Sequence, residues 1–187
     1  MRHLSALFVR YIAVGVAALA VTTLLTGVAY PLAVTAVAQV VPDHRVGRVV
    51  TVEGRPVGAA GIGQDFSADP SLFQGRPTNE GAASNLAPTS AKLKREMSER
   101  RLEVAARENV APGRVPADAI TVSGSGMDPD ISPAYARLQI PRVARANGLD
   151  EREVARMVEQ YTTYPLVGIG TTRVNVVELN AALARKR

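Results

Sequence analysis

The sequence contains no cysteine, and its only two histidines are His3 and His44. Without cysteine the chain has no disulfide scaffold, no thiolate metal site and no cysteine nucleophile. A serine hydrolase needs a histidine base beside its serine, and zinc sites rely on imidazole or thiolate ligands. We therefore predict neither a catalytic residue nor a metal site.

Aromatic residues are also scarce, at 4% of the 187 residues. Lys and Arg number 22 against 17 Asp and Glu, a formal net charge of +5, and the basic residues are spread along the chain. No row of aromatic side chains offers a stacking surface for single-stranded bases. These features favour one domain with a mildly basic, solvated surface and no nucleic-acid partner.

Charged residues are missing altogether from Tyr11 to Val41. As a helix this stretch would rise roughly 46 Å, more than the roughly 30 Å hydrocarbon core of a membrane requires. We predict a span from Tyr11 to about Tyr30, a kink at Pro31 and a stalk as far as Val41. A cleaved signal peptide is the alternative, because residues 36–38 have the small-x-small form of a cleavage site. The apolar run is about twice the usual 7–15 residues of the apolar region within a signal peptide, which favours an anchor in the lipid membrane.

The orientation of the span follows from its flanking charges. Arg2 and Arg10 precede it without any acidic residue, which favours a cytoplasmic N-terminus. Arg45 and Arg48 follow the span closely and weaken this assignment.

This orientation gives a single-pass membrane protein in three parts. They are a short cytoplasmic tail at residues 1–10, a membrane helix and stalk at 11–41, and one extracytoplasmic α/β domain at 42–187. Gly15 and Ala18 lie in a stretch of small residues, which would let another membrane helix pack closely.

Local patterns predict the elements of the α/β domain. They are a hairpin over residues 48–59, an exposed charged helix over 90–109, a short β-favouring run over 119–123, helices over 133–146 and from 150 to before 165, and a strand in which Val174, Val176 and Leu179 alternate. Ser132 and Asp150 are the expected caps of the two later helices.

Two loops carry residues with the potential to bind a ligand. Glycines at positions 58, 61 and 63 are arranged as G-x-x-G-x-G, which is not the order of the dinucleotide-binding fingerprint, so we predict turns there. In the other loop, Asp128 and Asp130 lack the glutamate that closes an EF-hand, since the twelfth position is Gln139. We predict that both carboxylates stabilise a turn and the start of the following helix, with metal binding as the less favoured alternative.

Six blocks of the sequence occur together in one order. They are "TGVAYPLAVTAVAQ" at the end of the span, Ile62–Phe66, Phe73–Pro77, Ser84–Thr89, Val122–Ala144 and Arg173–Leu183. In these blocks and their order the chain resembles the KdpC family, the C subunits of Kdp-type potassium-transporting ATPases, over essentially its whole length.

The resemblance implies a non-catalytic subunit of an ATP-driven potassium uptake complex in the bacterial inner membrane. Its expected partners are a channel-like potassium-translocating subunit, a P-type ATPase subunit and a small stabilising peptide. Family members are described as catalytic chaperones that raise the ATP affinity of the ATPase subunit, or as caps over the channel subunit. ATP binding is ascribed to the family, and we expect no cofactor held firmly by this chain.

Site residues follow from each of these two views. Gln64 and Gln139 are the candidates for a nucleotide role, although "GAASNL" at Gly81–Leu86 replaces the family's "SGGSNL" and weakens that comparison. Under the cap view, the candidates for partner docking or for the channel rim are Ser123, Gly124, Ser125, Gly126, Asp128 and Asp130. The alternative function is an independent membrane-anchored binding module that holds a small anion near Gly58–Gly63.

Overall fold

The structure is a computed structural model that describes residues 2–40, 47–78, 81–165 and 168–186. The chain forms two compact units, which divide between Val46 and Gly47. Together they confirm the predicted class, a mixed α/β domain with one N-terminal apolar helix.

The N-terminal unit is one long helix in three segments. They are α1 (Arg2–Leu24), a π-helical segment (Leu25–Ala29) and α2 (Tyr30–Ala38). Leu7–Ala38, with a mean hydropathy of 2.2, is the one helix among the described residues that is long and apolar enough to cross a membrane. The irregularity lies before Pro31 rather than after it, because the proline ring clashes with the carbonyl group four residues earlier. The predicted end of the stalk, Val41, lies outside the described residues.

The C-terminal unit begins with the predicted hairpin. Strands β1 (Val49–Val52) and β2 (Arg55–Ala59) are antiparallel, with Val52 opposite Arg55. Glu53 and Gly54 form the two-residue loop with φ values of 49° and 76°, the left-handed conformation that such tight hairpins require.

Three capped helices follow. They are α3 (Ala91–Glu108), α4 (Pro133–Asn147) and α5 (Glu151–Gln160). The side chains of Ser90, Ser132 and Asp150 each accept a hydrogen bond from a backbone N–H in the first turn of the helix that follows. The predicted helices and caps are therefore confirmed.

The predicted strand through Val174, Val176 and Leu179 is wrong beyond residue 175. Strand β5 covers only Arg173–Asn175, and helix α6 (Val176–Ala184) follows at once. The Asn175 side chain accepts the backbone N–H of Glu178 at 3.0 Å, and this cap starts a helix where the alternation of valines indicated a strand.

The β-favouring run over residues 119–123 is not a strand either. A 3₁₀ turn at Ala117–Ala119 leads into irregular backbone, and the sheet forms further along. It consists of β3 (Asp130–Ile131), β4 (Thr162–Thr163) and β5, all antiparallel in the order β3–β5–β4.

The segment over residues 73–77, which is neither helix nor strand, is held in the core by two amide side chains rather than by a neighbouring strand. Asn180 of α6 accepts the N–H of Phe73 at 2.8 Å and donates to its carbonyl group at 2.9 Å. Gln139 of α4 accepts the N–H of Gln74 at 2.7 Å and donates to its carbonyl group at 3.0 Å. The two amides thus provide hydrogen-bond partners for the N–H and carbonyl groups of Phe73 and Gln74, as a neighbouring β-strand would. They also fix the loops on either side of the segment.

Candidate functional site

The loop over residues 123–126 packs tightly against two other loops of the domain. The N–H of Gly63 donates to the Met127 carbonyl group at 2.7 Å, and a Cβ at Gly63 would lie 2.5 Å from the Asp128 carbonyl oxygen. Gly126 has a φ of 73°, and a Cβ there would clash with the backbone of Gly81. These glycines allow the close approach of three backbone segments, so the loops form one packed cluster.

Side chains within this loop divide into buried and exposed sets. Ser123 is 2% exposed, and its hydroxyl accepts the N–H groups of Gly126 and Asp128 at 3.1 and 3.3 Å. Gly124 and Ser125 are exposed, and Met127 is 50% exposed. The loop therefore has a fixed base and a small, mostly uncharged surface available for contact.

The two aspartates after this loop each bind an arginine. Asp128 Oδ2 lies 2.9 Å from Arg76 Nη1, and its Oδ1 accepts the N–H of Asp130 at 3.0 Å. Asp130 Oδ2 lies 3.0 Å from Arg173 Nε. Burial raises the pKa of the Asp130 carboxyl group, against the opposing effect of the Arg173 guanidinium. The turn-stabilising contact that we predicted for Asp128 is present, and the four charges balance.

Three clefts surround this cluster. The largest, about 410 Å³, is lined by Asp118, Asp128 and Asp130 together with Arg76 and Arg173. The other two, of about 200 and 250 Å³, fall below the roughly 300–1,000 Å³ typical of sites for small organic ligands. Among the residues that the structure describes, no group of three or more His, Cys, Asp or Glu could hold a metal ion.

Gln64 and Gln139 lie in different surroundings. Gln64 lines both smaller clefts, and its Nε2 donates to the Val57 carbonyl group at 3.3 Å. Gln139 is 0% exposed, and its Oε1 accepts from both the Gln74 N–H and the Arg142 Nη2. A nucleotide role stays a prediction for both residues, but Gln139 has a structural role that accounts for it fully.

The space beside two of the three glycines, those at 58 and 63, is filled by the chain itself. A Cβ at Gly58 would clash with the amide of Gln64, and the space beside Gly63 is filled by the Asp128 backbone. A Cβ at Gly61 would meet no atom within 4 Å, and Gly63 lines the cleft of about 200 Å³ together with Arg76, so the alternative function as an anion-binding module stays a prediction.

A buried ion cluster at the end of α3 was missed by the sequence analysis. The Glu108 side chain is 0% exposed and pairs with Arg107 Nε at 2.8 Å and with Arg142 Nε at 3.0 Å. The spacing of Val104 and Glu108 indicates this burial. The two residues are four positions apart, so Glu108 shares the helix face of an apolar residue, and that face is buried. The exposed-helix prediction thus holds only for the earlier turns.

Gly15 and Ala18 lie on the exposed surface of α1. They are three residues apart and share a face of the helix. A Cβ at Gly15 would meet no atom within 4 Å, so a close approach by another helix is sterically open at this position.

Nearly the whole chain is similar to known proteins. The family model described as "KdpC: K+-transporting ATPase, c chain" matches residues 12–185. The potassium-transporting ATPase KdpC subunit of Cereibacter sphaeroides is 48% identical over 175 residues, covering 89% of this chain and 92% of the relative. The KdpC subunit of Kineococcus radiotolerans is 46% identical over 178 residues (90% of each chain), and that of Caulobacter vibrioides is 46% identical over 173 residues (86% of each chain). The chain belongs to the KdpC family, the c chains of K⁺-transporting ATPases.

Proposed function

We propose that this chain is the accessory subunit of a high-affinity, ATP-driven potassium uptake complex in the bacterial inner membrane. The family match over residues 12–185 carries the proposal. The partners are a channel-like potassium-translocating subunit, a P-type ATPase subunit that hydrolyses ATP, and a small stabilising peptide. The chain acts in assembly of this complex, either as a catalytic chaperone for ATP binding or as a cap over the channel subunit.

The orientation of the chain decides between these two roles. We propose a cytoplasmic N-terminus and an extracytoplasmic C-terminal domain, because Arg2 and Arg10 precede the span without any acidic residue. A domain outside the membrane does not meet cytoplasmic ATP, so any effect on ATP affinity has to be indirect, through the membrane helix or through the channel subunit. The cap is then the direct role of the domain.

Reporter fusions to the C-terminus test this orientation. Alkaline phosphatase is active only outside the cytoplasm, so the phosphatase fusion is expected to be active in cells. A fusion to a fluorescent protein that matures only in the cytoplasm should be dark. Fluorescence without phosphatase activity would reverse the orientation and put the C-terminal domain within reach of ATP.

The packed loop cluster is the part of the domain that best suits a cap. Its base is fixed by Ser123 and Gly126, and its outer surface presents Gly124, Ser125 and Met127 to a partner. A rigid, mostly uncharged surface loses little conformational entropy on docking. We place this surface against the outer face of the channel subunit, with Asp128 and Asp130 at its rim.

Removing either rim carboxylate is expected to weaken potassium uptake modestly. Asp128→Asn or Asp130→Asn leaves Arg76 or Arg173 without its counter-charge and makes the rim more positive by one unit. One charge acting over ~8 Å of water corresponds to about 0.5 kcal/mol, or roughly a twofold rise in the potassium concentration for half-maximal ATPase activity.

The control for this measurement is Glu151→Gln, which makes the same charge change at an exposed position in the first turn of α5. The shift for the aspartate variants should shrink as ionic strength rises, because salt screens exposed charges. If all three variants and the wild type reach half-maximal ATPase activity at the same potassium concentration, neither aspartate lies at the rim of the channel.

A further inference from the structure

One cleft of the C-terminal unit opens beside the surface that we place against the channel subunit. It has a volume of about 200 Å³, and Met127, which belongs to that surface, lines it. This volume is below the range for small organic ligands, but a cavity of roughly 150 Å³ already holds one benzene molecule. The cleft therefore has room for a single side chain of a docked protein.

The base of the cleft is apolar and already ordered. Val176 and Val177, at the start of α6, line it and are each 2% exposed. Ser123 and Gly126 also line it and are buried, and the N–H of Gly126 donates to the Ser123 hydroxyl at 3.1 Å. A side chain that enters the cleft loses its own conformational entropy, but it does not have to order these walls.

The charges around the cleft do not balance. Three described residues with charged side chains line it, namely Asp65, Arg76 and Asp128. Arg76 Nη1 and Asp128 Oδ2 pair at 2.9 Å, so these two charges offset each other. Asp65 is exposed, and no ion pair between residues in the described ranges includes it.

Asp65 is held in its ionised form by a neighbouring serine. Its Oδ1 accepts the N–H of Ser67 at 2.8 Å. Hydrogen bonds from the side chain and the backbone of Ser67 lower the pKa of the Asp65 carboxyl group, because they stabilise the charged form. The cleft therefore carries one negative charge in excess at neutral pH, which favours a cation and disfavours the small anion of the alternative function.

The apolar walls favour a cation that is part of a side chain over a free metal ion. A metal ion needs several oxygen ligands, and no group of three or more His, Cys, Asp or Glu in the described part of the chain could hold one. Lysine and arginine instead bury an apolar stem and keep the charged end in a wetter place. The two valines at the base and the Asp65 carboxylate at the exposed edge match these two parts.

We propose that this cleft receives a lysine or arginine side chain of the channel subunit, with the stem against Val176 and Val177 and the charged end on Asp65. The inference rests on the proposed function, because it names one contact through which the domain caps that subunit. Arginine in particular is enriched among the residues that anchor protein interfaces in such pockets.

Two substitutions of Asp65 test the inference. Asp65→Asn removes the charge, while the amide oxygen can still accept the N–H of Ser67 and preserve the turn. It is expected to weaken retention of the channel subunit about tenfold, the effect of losing one charge-assisted hydrogen bond. Asp65→Lys places like charges together and should weaken retention further. Glu151→Gln is the control, because it removes the same charge at an exposed position on α5, away from the cleft.

Retention is measured by co-purification of the channel subunit with the tagged, full-length chain in detergent, from about 0.1 to 0.5 M salt. Rising salt should weaken retention of the wild type more than that of Asp65→Asn, because only the wild type has this ion pair to screen. A tenfold loss in Asp65→Asn with a reduced salt dependence, and wild-type behaviour of Glu151→Gln, support the inference.

The contrary outcomes are separable. Undiminished retention in Asp65→Asn and Asp65→Lys overturns the inference and leaves the proposed function intact. A loss in Asp65→Asn with the full salt dependence of the wild type assigns Asp65 to the local turn and also overturns the inference. So does co-purification of two differently tagged copies of the chain that Asp65→Asn abolishes, because the occupant is then a second copy. A wild-type chain that retains no other subunit overturns both the inference and the proposed function.

Discussion

Replacing Gly126 with alanine is expected to lower the free energy of unfolding of the C-terminal unit by about 2–5 kcal/mol. Two effects add at this position. The φ of 73° is unfavourable for a residue with a Cβ, and the new atom would clash with the backbone of Gly81, which is not a flexible side chain that can turn away. The measurement is urea unfolding of the full chain in detergent, followed by circular dichroism.

Gly124→Ala is the matched control, two residues earlier in the same loop. A Cβ there meets no atom within 4 Å, so the change should alter stability by no more than about 0.5 kcal/mol. If the loop surface also docks on the channel subunit, Gly126→Ala should release the chain from the complex under conditions in which Gly124→Ala stays bound. Equal unfolding midpoints for the two variants would contradict the packed-cluster description.

Much of the local structure was predictable because its causes are local. The hairpin follows from alternating valines around Gly54, and the helix starts follow from Ser132 and Asp150. The strand prediction is wrong from Val176 onwards because Asn175 caps a helix there, with its side chain accepting the N–H of Glu178, and this cap outweighs the alternation of valines. The family resemblance rests on six ordered blocks, and the family comparison confirms it.

The arrangement of the site was not predictable because its contacts are distant in sequence. Gly126 packs on Gly81, and Asp128 pairs with Arg76, 52 residues away. Residues so far apart in the chain leave no local pattern that indicates their contact, so the charge balance of the two aspartates could not be predicted. Gln139 is predicted to contact a nucleotide, whereas its amide, like that of Asn180, hydrogen-bonds the chain's own backbone.

Gln139→Leu separates the structural role of this residue from the nucleotide role predicted for it. Leucine is close in volume, but it leaves the N–H and carbonyl group of Gln74 without partners in the core and removes the acceptor of Arg142 Nη2. Each buried polar group left unpaired costs about 1–3 kcal/mol, so the expected loss of unfolding free energy is about 2–5 kcal/mol. Gln160→Leu, the same change at an exposed position on α5, should have little effect.

The two roles predict changes in different quantities, the urea midpoint of unfolding in one case and the ATP requirement in the other. Under the structural role, Gln139→Leu shifts the urea midpoint of the isolated subunit, while complexes that still assemble at low temperature keep the wild-type ATP concentration for half-maximal ATPase activity. Under a nucleotide role, the urea midpoint stays near that of Gln160→Leu and the ATP requirement rises. Because Gln139 is 0% exposed and hydrogen-bonded at both ends of its amide, we expect the first result. Gln64 lines two clefts and, within the described ranges of the chain, donates one long hydrogen bond, to the Val57 carbonyl group, so it is the better candidate for nucleotide contact.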